Sequence, residues 1–396
     1  MFPSRLPADS PKKEMIPIAS QFARKKPIKR PKGSVDLTFL VLVLILLVFG
    51  LVMMFSASYA DAYYYEGNSF HYITRQLVWA ALGLVAMAFL STWDYHIWHK
   101  FAWLAFAVSV VLLVAVYFMP TVNDAHRWIF IFGQQFQPSE IAKFSVVLLF
   151  SHMISLNHDK MKTFRYGILP YGIILVIYAG LIVFEPHLSA TILVTALGVV
   201  LIFVGGASLK WFAVGGAGGL ALAGLAMMIP SIYERAMYRI NVWLDPFIDP
   251  QAAGYQTIQS LYAIGSGGLM GAGIGNSRQK YLFLPEPQND FVFAIVCEEL
   301  GFVGAVLVII LFALLVCRGF MIAVKARDRF GMLMATGLTA QVGIQTVLNI
   351  AVVTNTIPNT GISLPFFSYG GSALLMLLAQ MGIILSISRQ TALEKE

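Results

Sequence analysis

Ten runs of apolar residues recur along this chain, near 36–57, 73–90, 98–119, 138–155, 167–184, 188–206, 210–230, 291–316, 331–353 and 370–388. A segment that crosses a bilayer needs about 20 apolar residues, because each residue of helix rises only about 1.5 Å. Within lipid every backbone N–H and C=O must be satisfied internally, which leaves helices as the structure for such runs. The reading is therefore an all-α polytopic membrane protein with ten transmembrane helices. Composition agrees: 58% of the residues are hydrophobic and only 12% are charged, about half the charged share of a soluble domain.

Orientation follows from the basic residues, which accumulate on the cytoplasmic side of membrane proteins. With the N-terminus inside, twenty of the 27 Lys and Arg residues fall on one side. Both termini are then expected in the cytoplasm. Residues 1–35 read as a flexible basic tail, 36–390 as the membrane domain and 391–396 as a short cytoplasmic end. The tail carries Arg24, Lys25, Lys26, Lys29, Arg30 and Lys32, which read as a topology signal and not as a nucleic-acid patch. No short apolar core with a small-residue cleavage site precedes the first span, so a cleaved signal peptide is not expected. The two cysteines, Cys297 and Cys317, lie on one expected helix about 30 Å apart and cannot bridge.

The connections are short except one. Residues 231–290 form a large extracytoplasmic loop between the seventh and eighth spans, and loops of that length are usually functional or disordered. Tyr255, Ile258, Leu261 and Tyr262 recur at helical spacing and predict an amphipathic helix near the membrane surface. Farther along, Gly268, Gly271, Gly273 and Gly275 allow positive φ and close backbone approach. Arg278 and Lys280 stand beside them, a combination suited to an anion such as pyrophosphate.

Three acids follow, Asp290, Glu298 and Glu299. Asp290 sits where a helix N-cap belongs. Glu298 lies about 12 Å deeper and roughly 80° around the helix, and Glu299 is on the opposite face. Glu298 is thus expected to line a cavity below Asp290, and Glu299 to pair with another helix. Glu140 and Lys143, three residues apart, predict an ion pair on the fourth span. Glu185 and His187 flank Pro186 at a break that faces the same outer cavity, and His152 reads as structural.

A channel would ring its acids along an axis, and a transporter would show broken helices in matching halves. Neither pattern is evident, and a carboxylate at a cavity mouth beside an ordered loop favours an enzyme, with a transporter as the alternative.

Three stretches carry a family resemblance: GNSRQKYLFLPEPQNDFVFAIVCEELGFVG, NTGISLPFFSYGGSALL and AHRWIFIFGQQFQPSEIAKF. They resemble the signatures of the SEDS proteins (shape, elongation, division and sporulation), over about residues 36 to 390. PEPQNDF, the basic tail and SASYADAYYYEGNSFHYITRQLVWA look more like the FtsW/SpoVE branch than RodA. The resemblance implies a peptidoglycan glycosyltransferase polymerising lipid II at the outer face of the bacterial cytoplasmic membrane, in division or sporulation; the alternative is a lipid II flippase. Asp290 matches the family's essential aspartate and would act as general base on the acceptor 4-hydroxyl, with inversion at the donor. Arg278, Lys280, Gln279, Ser277, Glu286, Glu298, Gly273 and Gly275 are carried over as substrate-binding residues, with a divalent cation a candidate beside Glu286. The implied partners are a class B penicillin-binding protein and divisome proteins. The chain departs from the family at NDAHR (123–127) and EPHLS (185–189), so roles for Glu185 and His187 carry over poorly.

Overall fold

A computed structural model describes residues 33–120, 127–131, 134–185 and 188–391. Thirteen helices are described: α1 (Leu37–Glu66), α2 (His71–Thr92), α3 (Trp98–Val116), α4 (Pro138–Asn157), α5 (Phe164–Gly167), α6 (Leu169–Phe184), α7 (Leu188–Val204), α8 (Leu209–Ala226), α9 (Pro230–Leu244), α10 (Tyr255–Gly267), α11 (Val292–Val324), α12 (Arg329–Val353) and α13 (Gly371–Thr391). A hairpin of two short strands, β1 (Ile129–Ile131) and β2 (Gln134–Phe136), pairs Ile129 with Phe136 just before α4. That hairpin is a departure from the purely helical expectation.

Among the described residues, eight helical segments are long and apolar enough to cross a membrane. They begin with α1, α2, α3, α4, the α5–α6 pair, α11, α12 and α13. α7, at 17 residues, falls short of that length, and α8 occupies the seventh apolar run. Burial divides the helices into two kinds. The apolar windows of α4 and α13 are 72% buried and that of α12 67%, whereas α2 and α3 are 22% buried. The first three form the protein core, and α2 and α3 turn most of their apolar surface outward, as helices solvated by lipid do.

Local chemistry sets several helix ends. Asp36 caps α1 by accepting from the Phe39 amide at 2.9 Å. Its carboxylate is also held by Arg318 of α11 at 2.7 Å, joining the start of the first helix to the end of the eleventh. Pro138 occupies the first turn of α4, where its missing N–H costs nothing. The sequence-predicted helix around Tyr255 is α10, and it packs against α11 and the end of α12. Ser260 donates to the Val353 carbonyl at 2.8 Å. The Cβ that Gly267 lacks would lie 2.0 Å from the Cys297 carbonyl oxygen. Cys297 and Cys317 are both free thiols, as their separation on α11 requires.

α11 is broken at Gly301, whose φ of 67° and ψ of −166° lie outside helical space. Into that break comes the glycine-rich loop. The amides of Ala272 and Gly273 donate to the carbonyls of Glu298 and Glu299, each at 2.9 Å, and Phe302 N donates to the Gly268 carbonyl at 2.9 Å. A Cβ on Gly271 would sit 2.2 Å from the Glu299 carbonyl oxygen, so contact between loop and helix depends on the missing side chain.

Candidate active site

Helices α1, α2, α4, α7, α12 and α13, with the 282–290 loop and the segment before α13, enclose a cavity of about 860 Å³. The wall is unusually polar for the interior of a helical membrane protein. Asp61 comes from α1, Arg75 from α2, Glu140 and Lys143 from α4, Gln341 and Gln345 from α12, and Arg127 from the residues before β1. Glu286 and Asp290 complete it from the loop that enters α11. Ionisable groups are costly at membrane depth and persist where they pair or face water.

Asp290 is half-buried at this wall. It is not the helix cap: that position falls to Phe291, which makes no side-chain capping bond. The carboxylate is therefore not spent on the dipole of α11. Burial pushes its pKa up to about 6; the Glu286 carboxylate adds to the rise and the Arg127 guanidinium opposes it. The aliphatic-free backbone of Gly361, at φ +65°, comes so close that a Cβ there would lie 3.1 Å from Asp290 Oδ2. Glu286 sits beside Asp290 at the cavity, exposed and at a strained φ of 45°. Its carboxylate accepts from Asn289 Nδ2 at 2.9 Å.

The other carried-over residues lie elsewhere. Lys280 is only 2% exposed and lines no part of this cavity. Its ammonium pairs with Glu299 at 2.9 Å and donates to the Gly275 carbonyl at 2.7 Å and to Ser56 of α1 at 3.2 Å. Ser56 in turn donates to Glu299 at 2.7 Å. Glu298 is buried, and Ser277 Oγ together with the amides of Arg278 (2.8 Å) and Gln279 (3.4 Å) donates to it. The expectation that Glu298 lines the cavity below Asp290 is thus corrected, because the 277–280 turn folds back over α11 and takes up its oxygens. Lys280 and Ser277 likewise serve this dry network. Arg278 is exposed and Gln279 half-buried, both outside the cavity wall. Gly273 and Gly275 do adopt positive φ, 93° and 86°. However, the Gly273 amide is committed to the Glu299 carbonyl, and the Gly275 carbonyl accepts from Lys280, so these contacts tie the loop to α11 and to Lys280.

Glu299 does join other elements, through Lys280 and Ser56. The Glu140–Lys143 pair forms at 2.7 Å, and Lys143 also reaches Gln345 Oε1 at 3.4 Å. His152 meets His99 of α3 at 2.8 Å, away from the cavity. Glu185 is 1% exposed and is not on the wall. Burial pushes its pKa up to about 8, against the pull of Arg127. His187 lies outside the described residues. The cation expected beside Glu286 finds no three-ligand cradle: among the described residues no group of three His, Cys, Asp or Glu side chains converges to hold a metal ion.

Asp61, Arg75, Arg127, Tyr369 and Gly361 had no place in the sequence-derived site, yet all line the cavity. Gln288 lies beside Asp61, and Arg75 beside Tyr369. Of these, Arg127, Gly361 and Tyr369 stand inside the three family-like stretches, and Asp61 and Arg75 inside the branch-like stretch at 56–80; their convergence on one cavity comes from tertiary packing.

Comparison with known proteins shows what this arrangement is similar to. Residues 36–393 match the family model FtsW/RodA/SpoVE, described as cell cycle protein. The chain is 40% identical over 364 residues to stage V sporulation protein E of Bacillus subtilis (strain 168), covering 90% of this chain and 98% of that one. It is 37% identical over 365 residues to a probable peptidoglycan glycosyltransferase FtsW of Geobacter sp. (strain M18), covering 91% and 98%. Among solved structures it matches a chain from a peptidoglycan synthase complex that coordinates polymerization and crosslinking, with a TM-score of 0.74, 27% identity and 90% and 98% coverage. The rod shape determining protein RodA of Thermus thermophilus matches with a TM-score of 0.66, 26% identity and 90% and 97% coverage.

Proposed function

Because this chain belongs to the FtsW/RodA/SpoVE family, we propose that it is a peptidoglycan glycosyltransferase that joins lipid II disaccharide units into glycan strands. In this reading Asp290 is the general base. The observation that carries it is one carboxylate, not committed to capping a helix, at the wall of a polar 860 Å³ cavity with its pKa raised to about 6. A base whose pKa sits just below the operating pH is mostly ionised yet still basic enough to take a proton.

The reaction balances without further reagents. Asp290 takes the proton from the 4-hydroxyl of the acceptor GlcNAc as that oxygen forms a bond to the anomeric carbon of the donor MurNAc. The bond from that carbon to the pyrophosphate oxygen breaks, undecaprenyl pyrophosphate leaves with the electron pair, and the carbon inverts. Base catalysis of this kind supplies roughly 10²–10⁴-fold, and the remainder comes from positioning and charge stabilisation. Arg75 and Arg127 are the wall cations we assign to a departing pyrophosphate, in place of Arg278 and Lys280; Lys143 on the same wall is paired with Glu140.

The orientation that suits this chemistry places the cavity toward the outer face of the bacterial cytoplasmic membrane, with ten spans and both termini in the cytoplasm. A class B penicillin-binding protein is the partner we propose, supported by similarity to a chain of a peptidoglycan synthase complex; divisome proteins fit the same setting. The process is cell division or sporulation.

The test is purified protein, with and without a cognate transpeptidase, incubated with labelled lipid II. Wild type is expected to make polymer and a folded Asp290→Asn variant none. Polymer from both would remove Asp290 as base. If neither polymerises and lipid II crosses reconstituted vesicles, the chain is a flippase.

A further inference from the structure

The segment between α12 and α13 reaches the site as a strap, and side chains from three helices seat it. Ser189 of α7 donates to the Gly361 carbonyl at 3.1 Å. Gln345 of α12 donates to Ser363, to its carbonyl at 2.9 Å and its hydroxyl at 3.1 Å. Asn359, on the strap itself, donates to Gln256 of α10 at 3.1 Å. The strap carries Gly361 against the Asp290 carboxylate.

Among the described residues, Asn349 is the side chain that bonds both Asp290 and the strap. It lies on α12, is 0% exposed, and its Nδ2 donates to the Asp290 carbonyl at 2.7 Å and to the Ile362 carbonyl at 2.6 Å. Those two bonds fix the orientation of the amide, because a flipped side chain would set its oxygen against two carbonyl oxygens. Its Oδ1 is buried with no hydrogen-bond partner among the described residues. A buried amide that leaves its own acceptor unsatisfied is retained at a cost, so the two donated bonds are where its contribution lies.

We propose that Asn349 is a positioning residue for the polymerisation reaction: it clamps the backbone of Asp290 to the Gly361 strap and so fixes the carboxylate against the cavity. The inference rests on the reading of Asp290 as base. Asn349 touches no substrate. It acts by holding the carboxylate where an acceptor hydroxyl meets it, and displacement of a reacting group by about 1 Å costs on the order of 10²-fold.

The experiment compares Asn349→Ala, Asn349→Asp and Asn349→Ser with wild type and Asp290→Asn, reading lipid II polymerisation across pH and thermal unfolding. Asn349→Ala is expected to lower kcat by roughly 10–100-fold with KM for lipid II nearly unchanged and the acidic limb of the pH profile displaced. Asn349→Asp sets a carboxylate against two carbonyls and is expected to lose more. Asn349→Ser keeps one donor and is expected to fall between alanine and wild type. A folded alanine or serine variant with wild-type kcat and an unmoved limb overturns the inference, as does a loss confined to KM. Failure of all three variants to fold also overturns it, since the role would then be structural. If Asp290→Asn still polymerises, the base reading fails whatever Asn349 does; if Asp290→Asn is inactive and Asn349→Ser matches wild type, only the positioning inference fails.

Discussion

Lys280 and Asp290 stand ten residues apart in one stretch of the chain and live in opposite surroundings. The ammonium of Lys280 is buried against Glu299, Ser56 and the Gly275 carbonyl, with each donor matched to an acceptor. Among the described residues Asp290 holds no comparable pairing with a cation at contact distance; it faces a cavity, and burial beside Glu286 raises its pKa. Both are ionisable groups in a chain built for lipid, where charge is expensive. The network around Lys280 offsets that expense locally and holds a loop to a broken helix. The site around Asp290 leaves it partly unrelieved, as expected where a group must change protonation state to work. Charge satisfaction, better than depth or helical phase, separates the ionisable group held in a structural network from the one proposed to work.

The largest effect is expected at Lys280. Replacing it by Met leaves Glu299 buried without its cation, and removing one partner of a buried pair typically costs about 3–5 kcal/mol. Thermal unfolding in detergent is expected to show that loss, and an unfolding temperature equal to wild type would mean that the network is not what holds the loop. Gly361→Ala comes next. At φ +65° an L side chain costs roughly 1–2 kcal/mol, and the added carbon crowds Asp290 Oδ2. Polymerisation by this variant is expected to fall about 10-fold through misplacement, and unchanged kinetics would show that the carboxylate tolerates the crowding.

The pH dependence tests the same contrast more gently. With its folded pKa raised to about 6, Asp290, the proposed base, is ionised above that pH and takes up a proton below it. The kcat/KM profile of wild type should therefore fall as pH drops through about 6. The raised pKa also means that ionised Asp290 disfavours the folded state, a penalty absent below its unfolded pKa and fully present above about 6. Asp290→Asn is accordingly expected to be no less stable than wild type at neutral pH. The smallest effect is expected at Arg278. Its side chain is exposed and off the cavity wall, so Arg278→Ala should polymerise within about threefold of wild type; a large drop would restore it as a substrate-binding residue.

Much of the architecture was legible because it is written in local pattern. Apolar runs marked the eight spanning helices found among the described residues, the i, i+3 spacing gave the Glu140–Lys143 pair, and Tyr255 to Tyr262 announced α10. The place of Asp290 at the cavity wall agrees with its LPEPQND setting. The glycine loop misled for a physical reason. Positive φ was correctly expected at Gly273 and Gly275, but sequence does not say whether the amides so exposed meet a ligand or another part of the chain. Here the Gly273 amide meets the Glu299 carbonyl, two residues before Gly301. Glu298 misled likewise: its helical phase was estimated without the turn at 277–280 that folds over it. Asn349 left no local signal, since its two acceptors lie 59 residues before it and 13 after it in sequence. Asp61 and Arg75 reach the wall only because α1 and α2 pack beside the loop.

The most direct measurement puts the two ends of the stretch side by side, with polymerisation of labelled lipid II and thermal unfolding recorded for wild type, Asp290→Asn and Lys280→Met under one set of conditions. The account predicts a folded Asp290→Asn protein that makes no glycan, and a Lys280→Met protein whose loss appears first in its unfolding temperature. An Asp290→Asn protein that polymerises at the wild-type rate would contradict it.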